Sequence, residues 1–482
     1  MKPLALASVV LLALPAALES GKALRPVRWD AERRLTADPA PSLLTFNFAR
    51  SIAADEAGRV HAVWYDARDG RPQIYYKRSG DGGATWGPDT RLSEDPAPDE
   101  HPSLATSGSH VYVVWHGIRD GGFDVFLRRS TDGGLNWGPS ATLTGGHKSA
   151  HTSVAAWGAA VHVVWGDSRH GHAEVYTRRS TNSGATWEPE TRLTDLPYES
   201  WVPSVAVSGR NVFVAWVDYR DGNEEEYFKR SADGGVTWGP DTRLTSDPAD
   251  SWAPSIGIAG ETFYLAWFDR RDAGVTHEDV EKKLDGIMGG MGLPVDPAPP
   301  PDPSVYYLPP FLGRVQEKRQ KIQEAAPAWV RSGGDPKGLE AELREFEELM
   351  RAWSFGWEIY FKRSLDGGAS WGPDVRLTAA SDVSARPSIA VAGSALHVVW
   401  FDGRDGDFEI YAKHSADGGA TWSSDLRLTD AAGESAHPTV AVRGESWHVL
   451  WLDTRDGNAE IYYRRGEAGR PRPRPLPFRD PS

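Results

Sequence analysis

Apolar and polar residues alternate in short bursts along most of the chain, a period of two that predicts β-strands. The clearest burst is Val111-Tyr-Val-Val-Trp115. It returns as Val161 to Trp165, Val212 to Trp216, Phe263 to Trp267, Leu396 to Trp400 and Trp447 to Trp451, with His61 to Trp64 as the first copy. The closing tryptophans stand 50 or 51 residues apart except for one step of 133, so the fifth copy holds an insertion of about 82 residues.

Each unit reads as four short strands: a run like Pro203 to Val207, the tryptophan run, a run like Glu409 to Ser415, and a short run like Thr242 to Thr245. Turn residues separate them. Four strands repeated at this interval are the sequence mark of a β-propeller blade. First, second and third strands each occur seven times, yet no fourth strand follows Arg465, while Arg34-Leu35-Thr36 precedes the first complete blade without a blade of its own. The expected fold class is therefore all-β, a seven-bladed propeller over residues 33–466 whose N-terminal strand completes the last blade. Six blades with an edge repeat is the rival count. A length of 482 residues would by itself suggest about three domains; the repetition replaces them with one ring.

The insertion, residues 273–356, reads differently. Leu293 to Pro310 is proline-rich and extended. Leu312 to Ala326 predicts one helix. Asp335-Pro336 marks the start of a second, in which Leu339, Leu343, Phe346, Met350 and Trp353 recur at helical spacing. It suits a lid, a partner-binding arm or a passive decoration. At the N-terminus, Lys2 followed by an apolar run from Leu4 to Ala17 is too short for a bilayer span and reads as a signal peptide over 1–23, which implies a secreted or periplasmic protein. Residues 467–482, with Arg-Pro-Arg-Pro-Arg-Pro, read as a disordered polyproline-type tail.

Composition narrows the choices. The 50 glycines and 35 prolines fit a turn-rich protein of many short elements. A net charge of −14, with no long basic block before the tail, argues against nucleic acid. The absence of cysteine removes disulfides, thiolate metal sites and thiol nucleophiles together.

Between third and fourth strands lies Ser79-Gly-Asp81-Gly-Gly-Ala-Thr85-Trp86, with variants at Ser130 to Trp137, Ser180 to Trp187, Ser231 to Trp238, Ser364 to Trp371 and Ser415 to Trp422. These segments resemble the Asp box, or BNR repeat, of sialidases and related propellers. The resemblance implies a sialidase-like propeller with an association to glycans. Asp81, Asp132, Asp233, Asp366 and Asp417 are expected to cap turn amides, a structural role, because one site cannot need six equivalent copies. No catalytic residue is carried over: where that family has Phe/Tyr-Arg-Ile-Pro, this chain has Phe46-Asn-Phe-Ala-Arg50-Ser51-Ile52.

A Trp-x-Asp-x-Arg-Asp-Gly motif follows each second strand, with arginines 68, 119, 169, 220, 271, 404 and 455. An acid nine residues past the tryptophan (Asp124, Glu174, Glu358 after the insertion, Glu409, Glu460) is expected to pair with that arginine across the hairpin.

Sites in a symmetric scaffold are sought where the symmetry breaks. His61, His162, His397 and His448 share one repeated position and read as structural. His101, His116, His147, His151, His170 and His172 instead crowd the expected binding-face loops of blades two and three, where Gly117 and His170 also replace aspartates of the turn motif. His116, His147, His170 and His172 with Glu174 form a candidate divalent-metal set, Asp167 and Glu100 being further nearby acids, or supply acid and base groups; solvated loop histidines are the plain alternative, and no cofactor is firmly implied. Before the first-strand Pro-Ser, or its Thr-Ser or Pro-Thr variant, stand His101, His151, Arg386 and His437 in different blades, with Trp201 and Trp252 one residue earlier in theirs. Imidazoles, a guanidinium and stacking aromatics suit a glycan pocket.

Three functions follow as expectations. The first is an exported propeller that binds a glycan or another extracellular ligand on the face formed by the blade two and three loops and the insertion. The second is a glycoside hydrolase of exo-sialidase type, and the third a scaffold for protein partners through the insertion helices.

Overall fold

A computed structural model describes residues 26–45, 49–94, 97–119, 121–145, 148–294, 310–380 and 382–468. Seven antiparallel sheets form the ring, so the six-blade count falls. The expected signal peptide, the proline-rich segment between residues 295 and 309, His147 and the tail beyond residue 468 lie outside the described residues.

The ring closes as the strand count requires: Arg33–Arg34 pairs with the third strand of blade seven. Two details were not legible. A further strand, Val27–Trp29, pairs with residues 466 to 468, so the last strand runs to Ala468, two residues beyond the expected end of the propeller. In blade one the first strand is broken into Ser42–Leu43 and Ile52–Ala54.

The insertion leaves blade five between its second and third strands and, among the described residues, forms three helices: α1 (His277–Gly290), α2 (Pro310–Arg331) and α3 (Pro336–Phe355). The spacing foresaw α2 and α3. It missed α1, whose start is a capping box in which the Thr276 side chain accepts from Asp279 N and Asp279 reaches back to Thr276 N at 2.8 Å. Val280, Leu284 and Ile287 of α1 pack with Ile322 of α2 and Phe346 of α3 in a core shared with blades five and six. Lys283 binds Glu342 at 2.5 Å and Lys318 binds Asp285 at 2.7 Å across the helices.

Repeated polar locks hold each blade. In blade one the Trp64 indole donates to Asp66 at 2.9 Å, and Arg68 grips Asp66 at 2.6 Å and Asp89 at 2.7 Å while lying over Tyr75. In blades three, five, six and seven the acid nine residues past the tryptophan binds another arginine and not the motif arginine, contrary to the sequence expectation. Glu409 accepts from Arg427 and Thr429, both at 2.5 Å. Glu358 is held by Arg376 and Thr378, Glu460 by Arg34 and Thr36, Glu174 by Arg192 and Thr194, and Asp124 by Thr144. The lock thus runs from third to fourth strand. Outside blade two the motif arginine is already satisfied by the aspartate two residues before it and by an acid ahead of the fourth strand.

The turns between third and fourth strands join neighbouring blades. Ser130 donates to Asp132 at 2.7 Å, and Asp132 accepts from Asn136 N at 2.9 Å. Gly134, at φ 82°, admits no side chain: a Cβ there would lie 1.8 Å from the Tyr76 hydroxyl of the previous blade. Trp137 packs edge-on to that tyrosine at 4.8 Å.

Candidate functional site at the channel mouth

The first strands line the central channel, and six of them share one irregularity. Register slips by a bulge between Glu100 and Ser103, Ala150 and Ser153, Trp201 and Ser204, Trp252 and Ser255, Ala385 and Ser388, and Ala436 and Thr439. At each bulge one non-glycine residue sits in the left-handed region: His101 (φ 54°), His151 (55°), Val202 (50°), Ala253 (66°), Arg386 (56°) and His437 (53°). Such residues favour glycine, so six side chains in the same strained place mark a ring that the fold over-determines.

The sequence candidates converge there. His101 stacks on His116 at 5.1 Å between ring centroids, His116 lies 6.5 Å from His151, and His151 meets Trp201 edge-on at 5.9 Å. Trp201 and Trp252 lie 5.7 Å apart. On the other side of the ring Arg386 Nη1 donates to His437 Nδ1 at 3.2 Å. His437, Arg386 and His151 all act electrostatically on His101, so the two arcs face one site. Trp201, His101 and His116 are buried, whereas His151, Trp252, Arg386 and His437 are half-exposed.

Burial sets the charge state. It pushes His101 and His437 well below the usual imidazole range and His116 down to about 3, and it pulls the Arg386 guanidinium down to about 10. The mouth therefore offers neutral imidazoles around the desolvated Arg386 guanidinium.

The metal candidates do not gather as one set. His170 is exposed and stacks on Tyr176; half-exposed His172 lies 3.7 Å from Glu199. Glu174 is buried in its third-to-fourth-strand lock. Of the set's described members only His116 joins the mouth, and among the described residues the one cluster with metal-ligand geometry is Glu100, His101 and His116.

Sequence reading missed two residues of this region, Tyr65 and Arg50, and had named Glu100 as a nearby acid. Tyr65 packs against His101 at 5.1 Å. Glu100 faces His116 across the strands. Arg50, in the segment that interrupts blade one, reaches across the channel and donates to Ile256 O at 2.7 Å; it lines a cavity of about 190 Å³. The only sequence signal for Arg50 is the lengthened stretch between Leu43 and Ser51, seven residues where blade two has two (44–50 against 101–102).

No family model matches the chain, and no curated protein matches it. Solved structures share its fold. A polysaccharide lyase, an ulvan lyase, is 10% identical with a TM-score of 0.53 and covers 90% of this chain and 95% of its own. Trypanosoma rangeli sialidase in complex with sialic acid is 10% identical with a TM-score of 0.43, and this chain spans 58% of that protein's length. The α-L-arabinofuranosidase of Fusarium graminearum is 11% identical with a TM-score of 0.41 over 74% of this chain and 89% of its own. The lyase shares the β-propeller fold with this chain, and the likeness is one of fold alone. Among the described residues no helix is long and apolar enough to cross a membrane.

Proposed function

We propose that this propeller is a carbohydrate-active protein that binds an acidic saccharide at the channel mouth. One observation carries the reading: Arg386, His437, His101 and His151 converge there from four blades, beside the Trp201–Trp252 pair. A desolvated guanidinium gains most from an anionic partner, and bidentate carboxylate or sulfate recognition suits its planar fork. Half-exposed Trp252 offers a sugar ring an apolar face. The lyase neighbour supplies a precedent for a polysaccharide on this fold. Two further points belong to the same reading: the third-to-fourth-strand turns are Asp boxes, and the N-terminal apolar segment exports the protein.

Calorimetric titration with uronate-containing and sialylated oligosaccharides, against neutral ones of equal length, tests it. Acidic saccharides should bind, neutral ones at least tenfold more weakly, and Arg386→Ala should remove the difference. Equal affinity for both classes, or an unchanged Arg386→Ala variant, overturns the reading. The same mixtures, followed for new reducing ends and for unsaturated products, separate binding from hydrolysis and lyase cleavage.

A further inference from the structure

We propose that Glu100, His101 and His116 form a binding site for a divalent cation of the zinc class at the channel mouth. One donor atom from each residue lies within 4.8 Å of the other two. Zinc bonds of about 2.0–2.2 Å set tetrahedral ligand atoms roughly 3.4 Å apart, a distance that small side-chain rotations reach from here.

The local fold brings these groups together. Glu100 and His116 are direct partners across the first two strands of blade two. His101 follows Glu100 into the bulge, and its left-handed backbone (φ 54°) sets its ring against that of His116, 5.1 Å away with the planes 30° apart.

His116 is the second, independent observation. The residue after the second-strand tryptophan is Tyr65, Gly166, Val217, Phe268, Phe401 or Leu452 in the other blades; only blade two puts an imidazole there. His116 is 1% exposed, and neither ring nitrogen has a hydrogen-bond partner. A buried polar group without a partner destabilises the fold, so one kept at a symmetry-breaking position calls for a ligand that the protein itself does not supply.

Two imidazoles and one carboxylate favour zinc and its neighbours cobalt and nickel over magnesium or calcium, which take oxygen ligands. Three protein ligands leave a coordination position open. Arg386 and His437 act on His101 in the same region, so an anion from solution is the expected fourth ligand. The inference goes beyond the saccharide reading, and its test contains no saccharide, so each stands or falls alone.

The test uses full-length protein purified without a histidine tag, stripped with a chelator and dialysed. Zinc titrated by calorimetry should bind at one ion per chain, confirmed by elemental analysis, and cobalt should give visible absorption bands typical of four- or five-coordination. Glu100→Gln and His116→Gln should each weaken zinc binding at least tenfold, while His170→Ala should leave it unchanged. Glu100 is half-exposed, so its variant tests the site even if His116→Gln does not fold. Absence of stoichiometric binding to the folded parent protein overturns the proposal. So does undiminished affinity in the folded Glu100→Gln variant.

Discussion

Asp99 and Gly117 face each other across the first two strands of blade two, and between them they relocate a carboxylate. Six blades put serine at the first position (42, 149, 200, 251, 384, 435) and aspartate at the second, as in Ser149, which donates to Asp167 at 2.8 Å. In blade two the acid is Asp99, it holds Arg119 at 3.0 Å, and a Cβ on Gly117 would lie 1.9 Å from its carboxylate. Asp99→Ser removes the acid from Arg119, and Gly117→Asp drives a second carboxylate into the first. Each should cost about 2 kcal/mol or more. The double variant restores the arrangement of the other blades and should recover most of the loss. Denaturant unfolding of the four proteins measures the coupling, and additive losses would refute the exchange.

Closure of the ring rests on Glu460, which accepts from Thr36 at 2.5 Å and Arg34 at 2.7 Å across more than 400 residues of chain. Glu358, within blade five, makes the same pair of bonds with Thr378 and Arg376. Thr36→Val with Arg34→Ala should cost about 2–3 kcal/mol and should speed hydrogen exchange first in the last strand, Glu460–Ala468. Thr378→Val with Arg376→Ala should cost a similar amount without that local opening. Uniform exchange in the closure variant would show that the N-terminal strand does not pin the ring.

The fold was legible because its signals repeat: seven tryptophan strands, turn glycines and a stray strand at the N-terminus need only counting. The site was legible in part. Position before Pro-Ser or its Thr-Ser and Pro-Thr variants was enough to group His101, His151, Arg386 and His437. Their left-handed backbone was not, because Val202 and Ala253 adopt it with no special residue type. Arg50 and Tyr65 were missed because channel-crossing and cross-blade contacts leave no local pattern. The metal grouping of His116 with His170 and His172 mistook nearness in sequence for nearness in space: His116 points into the mouth, while His170 stacks on its own hairpin's Tyr176. The symmetry break at Gly117 looked functional and is a carboxylate exchange. It needs Asp99, 18 residues away, to be understood.

Buried histidines make stability fall on acidification. Burial holds His162 near pKa 4 and His116 and His397 near 3, against 6.5 when unfolded. The unfolded chain therefore takes up protons first as pH drops below about 6.5. Stability is full above that value and declines toward the native pKa values, by up to about 1.4 kcal/mol per pH unit for each such group. His162 is remote from the mouth contacts and has no hydrogen-bond partner at either nitrogen. His162→Leu should reduce the loss between pH 6.5 and 4.5, read by urea unfolding at several pH values; an unchanged slope would contradict the assignment.

Glu226 should show the opposite sign. It replaces the isoleucine or valine of the other third strands (Ile74, Val125, Val175, Ile359, Ile410, Ile461), it is fully buried, and both its oxygens are without hydrogen-bond partners. Burial and the neighbouring Glu225 push its pKa well above 4.5. The native carboxyl stays protonated, so its cost grows as pH rises through 4.5 and the unfolded carboxyl ionises. Glu226→Ile should stabilise the protein by about 1–3 kcal/mol, and more at pH 7 than at pH 4. A destabilised variant would mean that the acid has a partner this geometry does not reveal.

Strain at the bulges separates the purpose of the mouth from its stability. A non-glycine residue in the left-handed region costs roughly 1–2 kcal/mol, and this chain places glycine freely at turns such as Gly58, Gly108 and Gly209. At positions 202 and 253 the retained side chains are buried and fill the mouth by packing. His151 is half-exposed, so packing explains its retention less well, and ligand contact explains it better. His151→Gly should therefore fold with a melting temperature equal to or above that of the parent, yet lose acidic-saccharide affinity at least tenfold. Ala253→Gly, which removes only a methyl group from the same backbone position, should leave affinity unchanged. If His151→Gly melts lower and binds normally, the imidazole is there for packing, and the ring of strained residues serves the channel wall rather than a ligand.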